Sequence, residues 1–252
     1  MPMSAAIENS LPELAPADRV LLILAVMGRN QRPMTAQELV DACQMPRSSL
    51  YRQLARLKSF GLLQEQAGMY TPGPLCLQLS IGFERDSNLV RVARPVLEQL
   101  SLISHESAGL IVASNDQALC LIMAESPLPL RCSFEPGRSV PLHRGASALC
   151  LLAHLPTPQR ELQLTRYYGA DTPERAHAQQ NLHQIREAGY VITEGEVDLG
   201  VWGCSAPIFG PSRRAVAALT LMAPALRLGN QRDTWLQHTL TAAARISRAL
   251  KD

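Results

Sequence analysis

The sequence predicts an α+β chain with an N-terminal winged helix-turn-helix, a linker helix, and a C-terminal antiparallel sheet domain with flanking helices. Three observations predict it. Residues 35–58, TAQELVDACQMPRSSLYRQLARLK, read as two short helices broken by a turn. From about Ser107 the apolar period changes to that of strands, with helical stretches between and after them. Between these regions, Pro72-Gly73-Pro74 opens a segment that turns helical in pattern.

In chain order, Asp18 is placed to cap a helix carrying Val20, Leu21, Leu24 and Met27 and ending at Gly28. Thr35 caps the next helix, and Glu38 three positions on completes a reciprocal capping box. Leu39, Val40 and Cys43 give that helix an apolar side. Gln44-Met45-Pro46 interrupts it, because proline disfavours helix at the residue before it and suits the first turn of the helix after it. A third helix begins near Arg47, with Leu50, Leu54 and Leu57 at i, i+4 and i+7 facing a core. Phe60-Gly61 ends it, and Leu62 to Gln66, Ala67-Gly68-Met69 and Tyr70-Thr71 form a hairpin, the wing. Leu75, Leu77, Leu79, Ile81 and Phe83 belong to a linker helix. Leu89, Val92, Val96, Leu97 and Leu100 mark a helix that packs on the larger domain or on a second subunit. The divisions expected are residues 1–74, 75–88 and 89–252.

In the last of these, Leu110 to Val112 and Leu119 to Met123 flank a Ser114-Asn115-Asp116 turn. Leu130 to Phe134 and Val140 to Leu142 can add strands. Helices follow from Ala146 to Leu155 and from about Pro173 to Ala188, the second ending at Gly189. Tyr190 to Glu194, Cys204 to Phe209 and Ala215 to Met222 are the final strands, with Gly210-Pro211-Ser212 turning the last pair. Leu236, Leu240, Ala243, Ile246 and Leu250 form a closing amphipathic helix.

The third helix turns Arg47, Ser48, Tyr51, Arg52, Arg56 and Lys58 outward, a basic face without acids that fits a DNA major groove. Residues 28–60 hold six basic residues (Arg29, Arg32, Arg47, Arg52, Arg56, Lys58) against two acids (Glu38, Asp41), whereas the whole chain is only +2. The positive charge is concentrated where DNA would lie. Thr35, Arg47, Ser48, Ser49, Tyr51, Arg52, Arg56 and Lys58 are the candidate contacts to double-stranded DNA. A solvated charged face on an ordinary helix pair is the alternative.

Composition excludes other classes. The 252 residues, 46% hydrophobic and 18% charged, suit a soluble two-domain globular protein. No stretch reaches the roughly 20 apolar residues of a membrane span, and Met1 to Pro16 carries acids and prolines rather than an export signal, so a cytoplasmic protein is expected. The six cysteines (Cys43, Cys76, Cys120, Cys132, Cys150, Cys204) form no C-x-x-C pair, and reduced thiols are expected. His177 and His183 fall on nearly opposite helix faces, which disfavours a metal site. No phosphate-cradling glycine loop occurs, and neither cofactor nor metal is expected. A thiol enzyme built from Cys204 with His143 and Glu194 is a competing class, and a redox sensor using Cys150 or Cys204 a third.

The chain resembles the IclR family of bacterial transcription regulators over nearly its whole length. The M-P-R-S-S-L-Y-R-Q-L run (residues 45–54) resembles the family's recognition helix, and Tyr70-Thr71-Pro72-Gly73 the motif closing its wing. Gly137 to His143, Ile185 to Tyr190, Gly195-Glu196, Leu199-Gly200-Val201, Ala206-Pro207-Ile208 and Ala217-Ala218-Leu219 follow in the family's order. The resemblance implies a homodimer or tetramer with no catalytic activity, whose GAF-like C-terminal domain binds a small-molecule effector, often an organic or aromatic acid. The implied pocket is lined by the 141–148 turn and helix start, the 193–203 loop and the last two strands. Its candidate residues are Val140, His143, Gly145, Ala146, Ser147, Thr193, Val201, Gly203, Cys204, Ser205, Thr220 and Met222. The amides of Ala146 and Ser147, at a helix N-terminus, favour an anion such as a carboxylate. The chain departs from the family at Ala148-Leu149-Cys150, where many members have glycine-lysine-alanine, so the effector is not inherited. Arg144 is a further departure, as a rim contact to a carboxylate or a solvent-facing residue.

Overall fold

The computed structural model describes residues 15–132 and 134–251, which divide into two compact units between Phe83 and Glu84. Most of the stretch read as lacking an export signal lies outside the described residues.

In the first unit, α1 (Pro16–Asn30) starts after Ala15, which caps nothing with its side chain. Asp18 is therefore not the cap; it lies in the first turn, where its charge meets the positive end of the helix dipole. The helix runs past Gly28 and ends on Gln31 in the left-handed region. Its buried stripe is Ile23, Val26 and Met27, and Leu21, expected in the core, is 62% exposed because it lies about 200° round the helix from Ile23.

Thr35 caps α2 (Ala36–Cys43) as its spacing requires. Its Oγ1 accepts from the Glu38 N–H at 3.2 Å, while Glu38 Oε2 accepts from the Thr35 N–H at 2.8 Å. Arg32 donates to the other carboxylate oxygen at 2.8 Å. That bond, then the Thr35 bonds, lower the Glu38 pKa to about 2. α3 (Arg47–Ser59) follows Pro46 and buries Leu50, Leu54 and Leu57 against Ile23 and Leu39.

The wing is β2 (Leu63–Gln66) paired with β3 (Met69–Pro72). Ala67 and Gly68 both have positive φ, 51° and 76°, the two-residue turn whose twist matches a hairpin. A two-residue strand not anticipated from sequence, β1 (Met34–Thr35), pairs with β3 to give the order β1-β3-β2. α4 (Pro74–Asp86) spans the division between the units and buries none of its side chains.

The second unit holds one six-stranded antiparallel sheet, ordered β6-β5-β4-β9-β8-β7. Its strands are β4 (Ser107–Ser114), β5 (Gln117–Ala124), β6 (Ser139–Pro141), β7 (Val191–Glu194), β8 (Val201–Phe209) and β9 (Ala215–Pro224). Its helices are α5 (Asn88–Ser104), α6 (Ala146–His154), α7 (Thr157–Tyr168), α8 (Pro173–Ala188) and α9 (Arg232–Ala249).

Alternation along the strands divides the packing. Trp202, Cys204, Ala206 and Ile208 of β8, with Leu219 and Leu221 of β9, pack against Val96, Leu97 and Leu100 of α5 and Trp235, Ala243 and Ile246 of α9. The Trp202 and Trp235 rings lie 5.7 Å apart. On the opposite face, Ile111, Ala118 and Ala218 pack against α6 and α8 through Leu149, Leu152, Leu182 and Ile185. Glu106, 1% exposed, receives two 2.7 Å bonds from Arg227 and ties the end of β9 to the start of β4.

Three expectations are corrected. The described residues of the 130–134 stretch, 130–132 and 134, form no strand: the Leu130 carbonyl is taken by Arg227 Nη1 and that of Cys132 by Ser107 Oγ, so side chains occupy groups a ladder would need. α7 was missed because it buries only Gln163 and Leu164, too little for a legible stripe. β8 begins at Val201 and β9 continues to Pro224, both beyond the expected bounds.

Two predictions concern the first unit. Thr35→Ala should destabilise it by about 1 kcal/mol in a urea titration, the usual cost of a lost cap. Glu38 has a lowered folded pKa, so its contribution is present above the unfolded value of 4.5 and lost as the pH falls toward about 2. In Glu38→Gln that part of the acid destabilisation should vanish, as read by circular dichroism.

Candidate functional site

The basic face of α3 is built by its own core stripe. With Leu50, Leu54 and Leu57 inward, Arg47, Ser48, Tyr51, Arg52, Arg56 and Lys58 are all exposed. Arg52 and Arg56 have no ion-pair or hydrogen-bond partner among the described residues, which leaves their guanidinium groups open to phosphates or base edges. Arg47 donates to Gln37 on α2. Lys58 pairs with Glu65 of the wing, and that hydrogen bond raises its pKa, so it braces α3 against β2.

Two candidate contacts do not belong to this face. Ser49 is 5% exposed and accepts from Arg19 Nη1 at 3.0 Å, a tie between α1 and α3. Thr35 spends its hydroxyl on the α2 cap.

In the second unit a narrow cavity of about 60 Å³ opens between the sheet and the start of α6. Val140, Gly145, Ala146, Ser147, Thr193, Val201, Gly203, Thr220 and Met222 all line it, as do Ile111, Phe134 and the 196–198 segment. Register brings them together: Gly203 lies opposite both Thr193 on β7 and Met222 on β9.

Gly145 makes the tight entry to α6. Its φ is +86°, and a Cβ there would lie 2.5 Å from Val197 Cγ2. Its N–H donates to Glu196 Oε2 at 2.8 Å, and Arg144 Nη2 donates to the Glu196 carbonyl at 2.6 Å. These bonds pin the 195–200 loop across the cavity. On the far side Arg138 lies 3.5 Å from Asp198 and stacks over Phe134 at 4.9 Å.

His143, Cys204 and Ser205 do not line this cavity. Cys204 projects from the opposite face of β8, where burial pushes its thiol pKa up to about 12. Ser205 faces the cavity side but is fully buried, bonded to the Thr220 hydroxyl at 2.7 Å. His143 lines a second cavity beside α8. The Cys204, His143 and Glu194 constellation is therefore not assembled: Cys204 is in the helix-covered core, His143 stacks on Tyr167 at 4.1 Å, and Glu194 is exposed. Cys150 is also buried, with its thiol pKa raised by desolvation, which opposes a redox-sensing role.

Sequence reasoning missed Ile111 and Phe134 as lining residues. The parity of β4 could have supplied Ile111; nothing pointed to Phe134, since its segment read as a strand. No group of His, Cys, Asp and Glu suited to a metal occurs among the described residues. None of their helices is long and apolar enough to cross a membrane.

The family models for the "IclR helix-turn-helix domain" and "Bacterial transcriptional regulator IclR C-terminal" match residues 16–67 and 84–248. The HTH-type transcriptional regulator BhcR of Paracoccus denitrificans is 30% identical over 235 residues, covering 90% of this chain and 84% of that one. A crystal structure of a putative IclR transcriptional regulator from Silicibacter sp. superposes with a TM-score of 0.84 at 23% identity, covering 94% of this chain and 96% of that one. An IclR homolog from Microbacterium hydrocarbonoxydans, complexed with 4-hydroxybenzoate, gives 0.71 at 22% identity, with 94% and 99% coverage.

Gly145→Ala combines a left-handed φ with the Val197 contact and should cost about 1–3 kcal/mol in thermal unfolding. Val197→Ala in the same chain should recover the part due to the clash. Under native conditions a thiol reagent such as DTNB should label the partly exposed Cys76 promptly and the five buried cysteines only as fast as the protein opens.

Proposed function

The chain belongs to the IclR family of bacterial transcriptional regulators, and we propose on that basis that it binds a promoter operator through α3 as a homo-oligomer whose affinity is set by a small organic or aromatic acid. The observation that carries the DNA reading is the exposed α3 face, with Arg52 and Arg56 without partners among the described residues beside Arg47, Ser48 and Tyr51. Arg47, Ser48, Tyr51 and Arg52, in the first turns of α3, are assigned to base edges and adjacent phosphates, and Arg56 to the backbone. Lys58 keeps its wing partner and contributes mainly positive field.

A second copy of the chain is the occupant assigned to the bare sides of α4. Leu77, Leu79, Ile81 and Phe83 are 65%, 60%, 56% and 54% exposed, more apolar surface than a lone helix leaves in water without a partner. Leu77 and Ile81 share one side of the helix and Leu79 and Phe83 another. Pairing two α3 modules predicts a near-palindromic operator.

The effector is assigned to the cavity at the start of α6. Among the described residues no Lys, Arg or His lines it, and its two carboxylates are engaged, Glu196 by the Gly145 N–H and Asp198 by Arg138, so a carboxylate there would rest on the first amides of α6. Its other end would meet the Ser147 and Thr193 hydroxyls and Asp198. An acid that also carries a hydroxyl group suits this arrangement, and the 4-hydroxybenzoate bound to the Microbacterium homolog is of that kind. An effector shifts DNA affinity by no more than its differential affinity for the competent and incompetent forms.

Genomic fragments retained by the purified protein at two salt concentrations test the reading. A near-palindromic site bound over a salt-sensitive background is expected; no preferred fragment, with or without a panel of aromatic acids, would overturn it. Against that site, Arg52→Ala should weaken binding by about 1–3 kcal/mol and relax the preference at one base position. The Leu77→Asp, Ile81→Asp double variant should shift the oligomer toward monomer in analytical ultracentrifugation and weaken operator binding along with it.

A further inference from the structure

We propose that the second unit carries another small-molecule site, separate from the cavity at the start of α6, which takes a ring-bearing zwitterion of amino-acid size. The site is the second cavity, with a volume of about 830 Å³, wider than the first and of the size that holds small molecules.

One face of α8 supplies its wall. Glu174, His177, Ala178, Asn181 and Leu182 fall at i, i+3, i+4, i+7 and i+8, so a single helical side presents all five. Leu149 and Leu152 of α6 lie across from them, and with Ala178 and Leu182 they make an apolar floor that suits a ring. His143, Arg144 and Tyr168 stand at the edge, and the Gly195-Glu196 segment closes it.

The polar groups around this floor are mixed in a way that selects a ligand. Arg144 is the cation. One of its guanidinium nitrogens bonds the Glu196 carbonyl, and its remaining N–H groups can reach a carboxylate. Glu174 and Glu196 are the anions; Glu196 already accepts from the Gly145 N–H, whereas Glu174 lies exposed on the rim. A plain anion would meet two carboxylates, and a plain cation would meet the guanidinium. A molecule with one charge of each sign at its polar end satisfies both and still lays its ring on the leucines.

Neutral hydrogen-bonding groups complete the set. The His143 ring is fixed between Tyr167, 4.1 Å away, and the edge of Tyr168 at 6.3 Å. Burial, then Arg144, lowers its pKa, so the imidazole is neutral at pH 7. Its Nδ1 is enclosed without a hydrogen-bond partner among the described residues. Burial, then Glu196, raises the Tyr168 pKa, which keeps the phenol protonated and able to donate.

The test uses the full chain with labelled leucine and valine methyls, titrated with L-phenylalanine, L-tyrosine, L-tryptophan and L-histidine, and separately with phenylacetate and 2-phenylethylamine. At least one amino acid should move the Leu149, Leu152 and Leu182 resonances saturably, about tenfold more tightly than the corresponding acid or amine alone, one charge contact being worth about that factor. Val140 and Val201, in the other cavity, should not move. Asn181 is exposed, so Asn181→Trp can block the mouth without disturbing the core; it should weaken binding at least about tenfold while the Val140 and Val201 signals keep their positions. Failure of all four amino acids to move the three leucines would overturn the site. So would a shift that survives Asn181→Trp or follows phenylacetate and phenylethylamine equally well. The operator reading is untouched by either failure, because it is read by DNA binding.

Discussion

Alternation by twos along β8 and β9 is the constraint on which both the core and the cavity of the second unit depend. Trp202, Cys204, Ala206 and Ile208 face α5 and α9, so Val201, Gly203 and Ser205 must face α6. The register that sets Gly203 against Met222 and Ser205 against Thr220 therefore puts small and polar positions on the side where the cavity opens. The Ser205 and Thr220 hydroxyls bond each other, so the buried polar pair beneath the cavity is satisfied without a ligand. A slip of one residue would carry Trp202 into the cavity and leave a void beside Trp235, a change the large buried rings oppose strongly.

Much of this was legible in the sequence because periodicity and capping are local. The capping box at Thr35 and Glu38 and the Leu50, Leu54, Leu57 stripe are short-range patterns, and the structure reproduces both. Ser49 was misplaced because Ser48 and Ser49 are adjacent, and only the position of α1, whose Arg19 reaches Ser49, separates an inward serine from an outward one. Cys204 was misplaced although the information was available: it shares parity with Trp202 and cannot face the same side as Gly203. His143 lies two residues before Gly145, and the turn into α6 sends the two into different cavities, which no pattern in the chain reveals. Residues 130–134 look like a strand by composition, yet tertiary hydrogen bonds from Arg227 and Ser107 claim the Leu130 and Cys132 carbonyls.

The two cavities share one side chain, that of Glu196. Its carboxylate holds the Gly145 N–H and its backbone holds Arg144, so the residue is fixed at both ends to the entry of α6. Gly145 and Glu196 thus form a single joint: the glycine supplies a positive φ and leaves room for Val197 Cγ2, and the glutamate accepts its N–H. Those two hydrogen bonds hold the residue that separates the cavities in place.

α4 buries none of its side chains, and a helix of thirteen residues tied only at its ends, by Leu75 and Cys76 to Gly61 and Leu62 and by Glu84 to Arg94, is marginal in water, because nucleation is costly and each added residue returns little. In a lone chain its amides would therefore exchange with solvent deuterium in a local opening that leaves α3 and the sheet intact. Covered by a partner, the same amides would be protected in proportion to the partner's concentration. Isotope uptake between Leu75 and Asp86 would thus serve as a gauge of assembly, graded by protein concentration.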